Sequence, residues 1–404
     1  MIPFQSLTQE ELSGLLLPLS EVKVRHGDSE DLIQKKKLKR ARYRAKQLFH
    51  WVYQRFITDY ELMTDLSKPL RVWLKDNVFI FRLDEFKSQQ SLDGTKKFLW
   101  KLTDSKTIES VIIPAALSEK GKTAFGDGKR FMGRQVDGED ESELSADHWK
   151  RLTACISSQV GCAMACKFCL TGIQGLDRHL KVHEIVAQVH ELRRVAPITN
   201  IVFMGMGEPL HNFESVTKAC KILLDQDGMN FSKRKITVST SGLVPAMIEL
   251  GKTVDVSLAI SLNATTDEIR SQIMPVNKKW PISELLKACR EYPVGSHRRI
   301  TFEYVLLKGI NDTLEDAKRL IQLTKGIPSK INLIPFNAHS GSEFQRPDDQ
   351  VVRTFQEYLL DRNVFASVRI SRGQDILAAC GQLRSIFGTA RGTEKHKDYA
   401  LQSG

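Results

Sequence analysis

The chain has 404 residues, and its 59 Lys and Arg against 48 Asp and Glu give a net charge of +11 at pH 7. This length predicts two or three domains, at roughly 100–200 residues each. The 25 glycines and 13 prolines are too few for a fibrous or low-complexity protein. Neither a signal peptide nor a membrane span is visible, so we expect a cytoplasmic protein without membrane association. The positive charge favours a polyanionic partner, RNA or DNA.

The N-terminal residues 1–90 are expected to form a small, basic helical domain. Thr8 and Glu11 have the spacing of a capping box, which predicts a helix over 8–17. Eight of the twelve residues from Lys35 to Lys46 are Lys or Arg. Such a run is usually a solvated helix face. Here the density of like charge, with Trp51 and Tyr53 close by, favours contact with RNA.

The next two segments differ sharply in composition. Residues 91–114 predict a β-hairpin, with a turn at Asp93-Gly94 and strands at 97–102 and 107–114. Glu109 lies in the second of these strands. Residues 115–150 contain five glycines and the acidic run Glu139–Glu141. They predict a flexible polar insertion or linker.

From residue 151 to 372, short apolar runs alternate with helical patterns, which is typical of a parallel α/β sheet. Six or seven such units predict a partial (β/α)6-type barrel, short of the eight of a closed one. Residues 373–404 form a C-terminal segment. The predicted strands are 153–158, 200–204, 235–240, 254–261, 299–306, 330–335 and 365–371, and the clearest helices are 182–195, 214–224, 314–325 and 349–361.

Three of the seven cysteines lie within eight residues, as Cys162, Cys166 and Cys169. An odd number of cysteines, clustered in this way, argues against a disulfide framework. Three thiolates in a loop after a strand can hold three irons of a [4Fe–4S] cluster and leave the fourth iron open for S-adenosylmethionine (SAM). The alternative is a structural zinc site, for which His179 would be the fourth ligand.

The pattern C-x3-C-x-aromatic-C resembles that of the radical SAM superfamily, whose fold is a partial barrel with the cluster in the loop after its first strand. Gly205–Pro209 is similar to the superfamily's GGEP segment, which implies that Gly207 and Glu208 bind the amino group of SAM. Ordinary turn and capping chemistry is the alternative for the polar strand ends. The resemblance makes these strand-end residues candidate cofactor contacts: Ser239, Ser261, Leu262, Asn263 and Asn337.

A narrower resemblance links the chain, from about residue 40 to about residue 390, to the RlmN family of RNA adenine-C2 methyltransferases. Cys155 and Cys380 match that family's two cysteines outside the cluster, whereas we expect Cys220 and Cys289 to be buried hydrophobic residues. Further matching segments are Tyr43–Gln47, Met63–Leu66, Ile331–Pro335 and Ala379–Leu383.

The resemblance implies a mechanism that uses two SAM molecules in each turnover. Cys380 accepts a methyl group from one SAM, and a 5′-deoxyadenosyl radical from the other removes hydrogen from that methyl group. The carbon radical adds to adenine C2. Cys155 then attacks Cys380, forms a transient disulfide and releases methylated RNA. Glu109 matches the family's proton acceptor; as a bare strand residue it would be a solvent-facing charge.

The implied substrates are 23S ribosomal RNA, at the peptidyl-transferase centre, and the transfer RNA anticodon loop. An electron donor such as flavodoxin and a monomeric state are also implied. Two alternatives remain open, a Cfr-type adenine-C8 methyltransferase and a non-catalytic iron–sulfur or zinc regulator that binds RNA. The chain departs from the family pattern in the long 115–150 segment and at Asn263, where many members have His.

Overall fold

The computed structural model describes residues 1–115, 122–123, 126–127, 151–295, 298–339 and 342–385. Nearly all of the predicted insertion at 115–150 lies outside these described residues, as does the C-terminal segment after residue 385. In the described ranges, none of the helices has the length and apolar character needed to cross a membrane.

Helices are spread over the whole described chain, and some short 3₁₀ turns accompany them. A π-helical turn, His50–Gln54, extends the second helix. The α-helices are α1 Gln9–Leu16, α2 Glu30–Phe49, α3 Lys68–Asn77, α4 Leu170–Gln174, α5 Val182–Val195, α6 Phe213–Leu224, α7 Val244–Thr253, α8 Asp267–Ile273, α9 Ile282–Glu291, α10 Leu314–Thr324 and α11 Asp349–Leu360.

The strands of the described residues form one large sheet and three two-stranded pairs. In chain order they are β1 Ile2–Pro3, β2 Val78–Phe79, β3 Asp84–Gln90, β4 Lys96–Lys101, β5 Thr107–Pro114, β6 Lys122–Thr123, β7 Gly126–Asp127, β8 Leu152–Cys155, β9 Gln159–Gly161, β10 Leu176–His179, β11 Asn200–Phe203, β12 Ile236–Thr240, β13 Ser257–Ser261, β14 Ile300–Leu306, β15 Ser329–Pro335 and β16 Ala366–Val368.

The large sheet has ten strands in the order β16-β15-β14-β13-β12-β11-β8-β5-β4-β3. The seven strands from β8 to β16 in this order are parallel to their neighbours, and helices connect them. Their apolar runs are buried, as in Ile236 and Val238 of β12, because helices cover a parallel sheet. Six strand–helix units followed by a last strand confirm the predicted partial barrel.

The antiparallel part of the sheet is a three-stranded meander, β3-β4-β5, which joins the barrel through the β5–β8 pair. The predicted strands over 97–102 and 107–114 are confirmed. The Asp93-Gly94 turn, however, connects β3 to β4 and does not lie between those two strands. We did not predict β3. Six of its seven residues, Asp84–Gln90, are polar, so it lacks the apolar alternation by which a strand is recognised.

The N-terminal helices pack against the barrel. Helix α1 begins with the predicted Thr8–Glu11 capping box. Helix α2 buries Ala41, Ala45, Leu48 and Phe49 on one face. Phe4, Phe49 and Tyr53 form an aromatic cluster with ring centroids 5.2–5.6 Å apart. His190 of α5 reaches this region, with Nε2 3.0 Å from the Val52 carbonyl oxygen. The basic helix is therefore fixed to the barrel by a shared apolar core.

Candidate functional site

The carboxyl ends of the parallel strands surround a cavity of about 140 Å³, which we name cavity 1. Leu262 and Cys155 are buried and do not line it, and Glu109 lies in a separate cavity. Most of the predicted site residues are brought together here: Cys162, Cys166, Cys169, Gly207, Glu208, Ser239, Ser261, Asn263, Asn337 and Cys380.

The loop Gly161–Cys169 holds three thiols at the wall of cavity 1. Gly161 has a φ of +76°, and a Cβ there would overlap the Gly175 carbonyl oxygen, so the turn requires glycine. The Cys162 amide donates to that carbonyl at 2.9 Å, and the Cys169 amide donates to the Cys166 carbonyl at 3.2 Å. Backbone hydrogen bonds thus curl the loop so that its cysteines share one cavity.

The three thiols interact electrostatically. Burial, together with the neighbouring Cys169, raises the pKa of Cys162 to about 12. Burial, Cys169 and Cys162 together raise the pKa of Cys166. Because the soft thiolate is the ligand of iron–sulfur clusters, this donor set fits a [4Fe–4S] group. Among the described residues, no three His, Cys, Asp or Glu side chains converge as a single bound metal ion requires.

Glu208 connects the ends of two neighbouring strands. Its buried carboxylate accepts hydrogen bonds from the Leu210 amide at 3.0 Å and the Ser241 amide at 2.7 Å. Burial raises the pKa of Glu208, and these amides oppose the rise. Gly207 has a φ of +102° and lies against Gln159, whose Oε1 accepts from the Glu208 amide. The Gly207-Glu208 turn is therefore fixed before any ligand binds.

The other polar strand ends are also held by the protein itself. Ser239 donates from Oγ to Glu303 at 3.1 Å. Asn263 has a φ of +57°, and its side-chain oxygen accepts from the Val305 amide while Nδ2 lies 3.2 Å from the Met274 sulfur. Asparagine tolerates this left-handed backbone better than most residues. Asn263 thus shapes the cavity wall through its own contacts.

Arg270 of α8, which we did not predict as a site residue, holds the ends of two strands in place. Its side chain is fully buried. The guanidinium donates to the carbonyls of Ser241, Ser261 and Leu262 at 2.7–3.1 Å, and to Asn277 Oδ1 at 2.9 Å. In the sequence, Arg270 looks like an ordinary charge on a polar helix, because nothing local indicates that α8 packs under two strand ends.

The C-terminal segment brings Cys380 to the same wall. The Leu170 amide, next to the cluster loop, donates to the Gly381 carbonyl at 2.8 Å. Asn337 Nδ2 lies 3.2 Å from the Cys380 carbonyl oxygen, and Gln382 donates to the Ala338 carbonyl at 2.9 Å. Contacts with the residues that follow β15 and with the end of the cluster loop therefore place Cys380 on the same wall as cysteines more than 200 positions earlier in the chain.

Cys155 lies at the end of β8, close enough to Cys380 for the two thiols to interact. Burial, followed by Cys380, raises the pKa of Cys155 to about 12. Burial raises the pKa of Cys380 to about 11, and Arg369 opposes this rise. Both cysteines are free thiols. Cys220 and Cys289 are also buried, as predicted, and they sit within helices away from cavity 1.

Glu109 is buried beside this segment. It forms an ion pair with Lys97 at 3.1 Å and accepts a hydrogen bond from the Arg384 amide at 2.9 Å. Burial raises the pKa of Glu109, and Lys97 and Arg384 oppose the rise. Glu109 is 3% exposed, so its strand position alone would have suggested the wrong environment. Charged neighbours that line the same cavity are Lys87, Lys97, Asp375 and Arg384.

The basic run lies on α2, as expected. Two of its lysines form ion pairs, Lys36 with Asp28 at 2.6 Å and Lys46 with Asp227 at 2.8 Å. Others are exposed, among them Lys35, Lys39 and Arg42, which share one helix face by their spacing. Tyr43, on the same helix, is 61% exposed. The result is a cationic surface with an accessible aromatic ring.

Comparison with known proteins decides the family. Residues 156–323 match the radical SAM superfamily model, and residues 33–80 match the ribosomal RNA large subunit methyltransferase N-terminal domain. The dual-specificity RNA methyltransferase RlmN of Geotalea uraniireducens is 50% identical over 86% of this chain and 92% of its own. The RlmN of Geobacter sulfurreducens is 51% identical over 85% of this chain and 86% of its own.

The chain belongs to the RlmN family. A crystal structure of a radical SAM methyltransferase from Sphaerobacter thermophilus covers 95% of this chain and 99% of that one, with a TM-score of 0.77 and 38% identity. The resemblance predicted from the sequence is thus confirmed. Membership of the radical SAM superfamily implies a [4Fe–4S] cluster and SAM. The three clustered cysteines and most of the predicted SAM contacts line cavity 1.

The match to the radical SAM superfamily includes β11 to β14 with their helices. The match to the N-terminal domain extends over most of α2 and continues to β2. Cys155 and Cys380 lie outside both matched ranges. So do two side chains that sequence reasoning missed, Lys97 and Arg369. Lys97 forms an ion pair with Glu109, and Arg369 interacts electrostatically with Cys155 and Cys380. Both interactions arise from the tertiary fold, so no local sequence signal was available to find these residues.

Proposed function

We propose that this RlmN-family protein methylates C2 of adenine in 23S ribosomal RNA and in transfer RNA. The observation that carries the proposal is the position of Cys380, on the wall of the cavity that also holds Cys162, Cys166 and Cys169. A sulfur that must receive a methyl group and then present it for radical chemistry needs this position.

The choice of a cysteine has a chemical reason. Adenine C2 is an electron-poor carbon, so it does not displace a methyl group from a sulfonium. A thiolate does. When bound, the cluster and SAM supply the methyl group, an electron and the radical that activates the S-methyl carbon.

Cys380 acts first as the methyl acceptor. Because burial raises its pKa to about 11, the thiol must lose its proton as it reacts. Arg369 favours the thiolate and so assists this step. The sulfur then holds the one-carbon unit while it becomes bonded to adenine C2.

Cys155 and Glu109 complete the reaction. Glu109 accepts the proton from C2, and Lys97 favours its ionised form. The unpaired electron left by the radical addition must leave the adduct together with this proton, and the cluster, when bound, would accept it. The Cys155 sulfur bonds to the Cys380 sulfur as the bond between Cys380 and carbon breaks. The electron pair of that bond stays with the carbon, which takes up a proton. An external reductant must restore both thiols. As the electron donor of the radical step we propose a protein such as flavodoxin.

The decisive test is nucleoside mass spectrometry of RNA incubated anaerobically with the reconstituted protein, reductant and methyl-labelled SAM. We expect labelled 2-methyladenosine. Labelled 8-methyladenosine would replace this proposal with the Cfr-type activity, since both reactions need the same cysteines. Absence of both products, with an intact cluster and with 5′-deoxyadenosine formed, would refute adenine methylation for the RNA tested.

A further inference from the structure

A second cavity meets cavity 1 at Cys380. Cavity 2, as we name it, has a volume of about 240 Å³. Cys380, Asn337 and Ile334 line both cavities. Since a bound water needs only ~10–15 Å³ by this kind of measure, cavity 2 has room for a ring system. Cys380 therefore stands between two spaces, of which only cavity 1 is shared with the cluster cysteines.

The walls of cavity 2 combine apolar side chains with two cations. Ile113, Val368 and Ile370 contribute apolar surface, and Ile370 is 46% exposed. Arg369 and Arg372 contribute positive charge. No Asp or Glu is among the described residues that line this cavity.

Both arginines retain hydrogen-bonding capacity. Arg369 Nη1 lies 3.9 Å from a Glu303 carboxylate oxygen, which is long for a hydrogen bond to oxygen. The same Nη1 donates a weak hydrogen bond to the Met204 sulfur at 3.8 Å. Arg372 donates from Nη1 to the Asp93 carbonyl at 3.2 Å. Because a guanidinium carries five N–H donors, each has donors left for an anion.

The charge of cavity 2 distinguishes between the two substrates. SAM carries a sulfonium, an ammonium and one carboxylate, so its net charge is positive and two arginines repel it. A nucleotide of RNA has a planar base for an apolar wall and a phosphate for guanidinium groups. We propose that cavity 2 binds the target nucleotide of the RNA, with the phosphate at Arg372 and the base beside Cys380.

This inference rests on the proposed function and adds to it that the two cavities bind different substrates. Cys380 receives the methyl group from cavity 1 and presents the carbon to a base held in cavity 2. Arg369, close to both thiols, belongs to the reaction as well as to the cavity. Arg372 is the better residue to substitute, because its described hydrogen bond is to a backbone carbonyl and it has no described contact with the two thiols.

The experiment compares Arg372→Ala, Arg372→Lys and a control, Arg362→Ala. Arg362 is exposed, and its guanidinium carbon lies 3.6 Å from the centre of the Tyr358 ring. Steady-state kinetics with an RNA substrate should show KM raised about tenfold by Arg372→Ala with little change in kcat, and a salt slope reduced by about 1. Arg372→Lys should recover part of the affinity, because it keeps the charge without the planar fork.

A second pair of variants tests the apolar wall without disturbing the core. Ile370→Glu places a negative charge at the cavity, and Phe365→Glu makes a similar change at a residue that is 45% exposed and does not line it. We expect only Ile370→Glu to raise KM for RNA. Equal effects of the two variants would overturn the proposal.

Mass spectrometry of Cys380 after incubation with SAM alone provides the other readout, because this methyl loading needs no RNA. Loss of loading in Arg372→Ala would assign the arginine to the SAM site and overturn the proposal, as would an unchanged KM and salt slope. Failure of the proposed function is distinct from either result, since the unmodified protein would then give no methylated adenosine.

Discussion

The cluster region and the methyl-transfer region of this molecule are built in different ways. The first consists of repeated strand–helix units and one short loop that carries three cysteines. The second is assembled from the meander, the end of β8 and residues 373–385. In it, hydrogen bonds connect residues far apart in the chain, such as Ser91 with Asp375 at 2.6 Å and the Arg384 amide with Glu109 at 2.9 Å.

This difference has a functional meaning. A cluster site needs three ligands at fixed spacing, which a local loop provides. The methyl-transfer chemistry that we propose needs two thiols and a base, and tertiary contacts set their mutual position. We therefore expect substitutions in the first region to remove the cofactor, and substitutions in the second to change individual steps.

The largest effect is expected at the cluster loop. Cys162→Ala should abolish cluster reconstitution, because two thiolates cannot replace three as ligands. Iron content and the visible absorbance of the reconstituted protein measure this. Cys220→Ala is the matched control, since Cys220 is also fully buried but lies in α6. A Cys162→Ala protein with normal iron content would refute the ligand assignment.

The next largest effect is expected from replacing Cys155, the thiol that we propose attacks Cys380. Cys155→Ala should permit methyl loading of Cys380 yet leave the RNA covalently attached, because no thiol remains to break the bond between sulfur and carbon. Denaturing gels with labelled RNA would reveal the adduct. Cys155→Ala combined with Cys380→Ala should give none. Normal turnover by the single variant would exclude the two-cysteine mechanism.

Arg270 holds strand ends of the first region in place through its hydrogen bonds. Arg270→Met should lower the free energy of unfolding by about 3 kcal/mol or more, since each buried carbonyl left without a donor costs roughly 1–3 kcal/mol. Chemical denaturation of the apoprotein measures the change. Arg319→Met is the control, because that arginine is 40% exposed and pairs with Asp316 along α10. Equal stability of the Arg270 variant would show that the carbonyls find other partners.

The sequence predicted the features that have a local pattern and missed those that depend on contacts between distant residues. The alternation of apolar runs predicted the barrel, because parallel strands buried on both faces leave a local signature. The cysteine spacing likewise predicted which thiols share cavity 1. Strand β3 was missed because it is polar. Lys97 and Arg270 were missed because their partners are distant in the sequence, and only the fold shows that these charges are buried.

Lys97 offers a smaller effect, on pH dependence. Lys97 lowers the pKa of Glu109, and burial raises it. In Lys97→Met, the pKa of Glu109 should therefore rise, so that less carboxylate is present at a given pH. The acid limb of the rate–pH profile should move to higher pH. Lys101→Met, an exposed residue of the same strand, should leave the profile unchanged. An unmoved acid limb in Lys97→Met would mean that Glu109 does not act as the base.

The smallest effect is expected far from both regions, on the exposed face of α2. Replacing Lys35, Lys39 and Arg42 together by Gln should weaken RNA binding and flatten its dependence on salt. Each phosphate contact contributes roughly 0.7–0.9 to the slope of log affinity against log salt. A triple variant of exposed lysines elsewhere, Lys252, Lys318 and Lys325, controls for net charge. A flattened slope in the α2 variant alone would mean that RNA contacts both α2 and the barrel, because the two share an apolar core. Equal slopes in the two variants would mean that the charges on α2 are solvated and do not contact RNA.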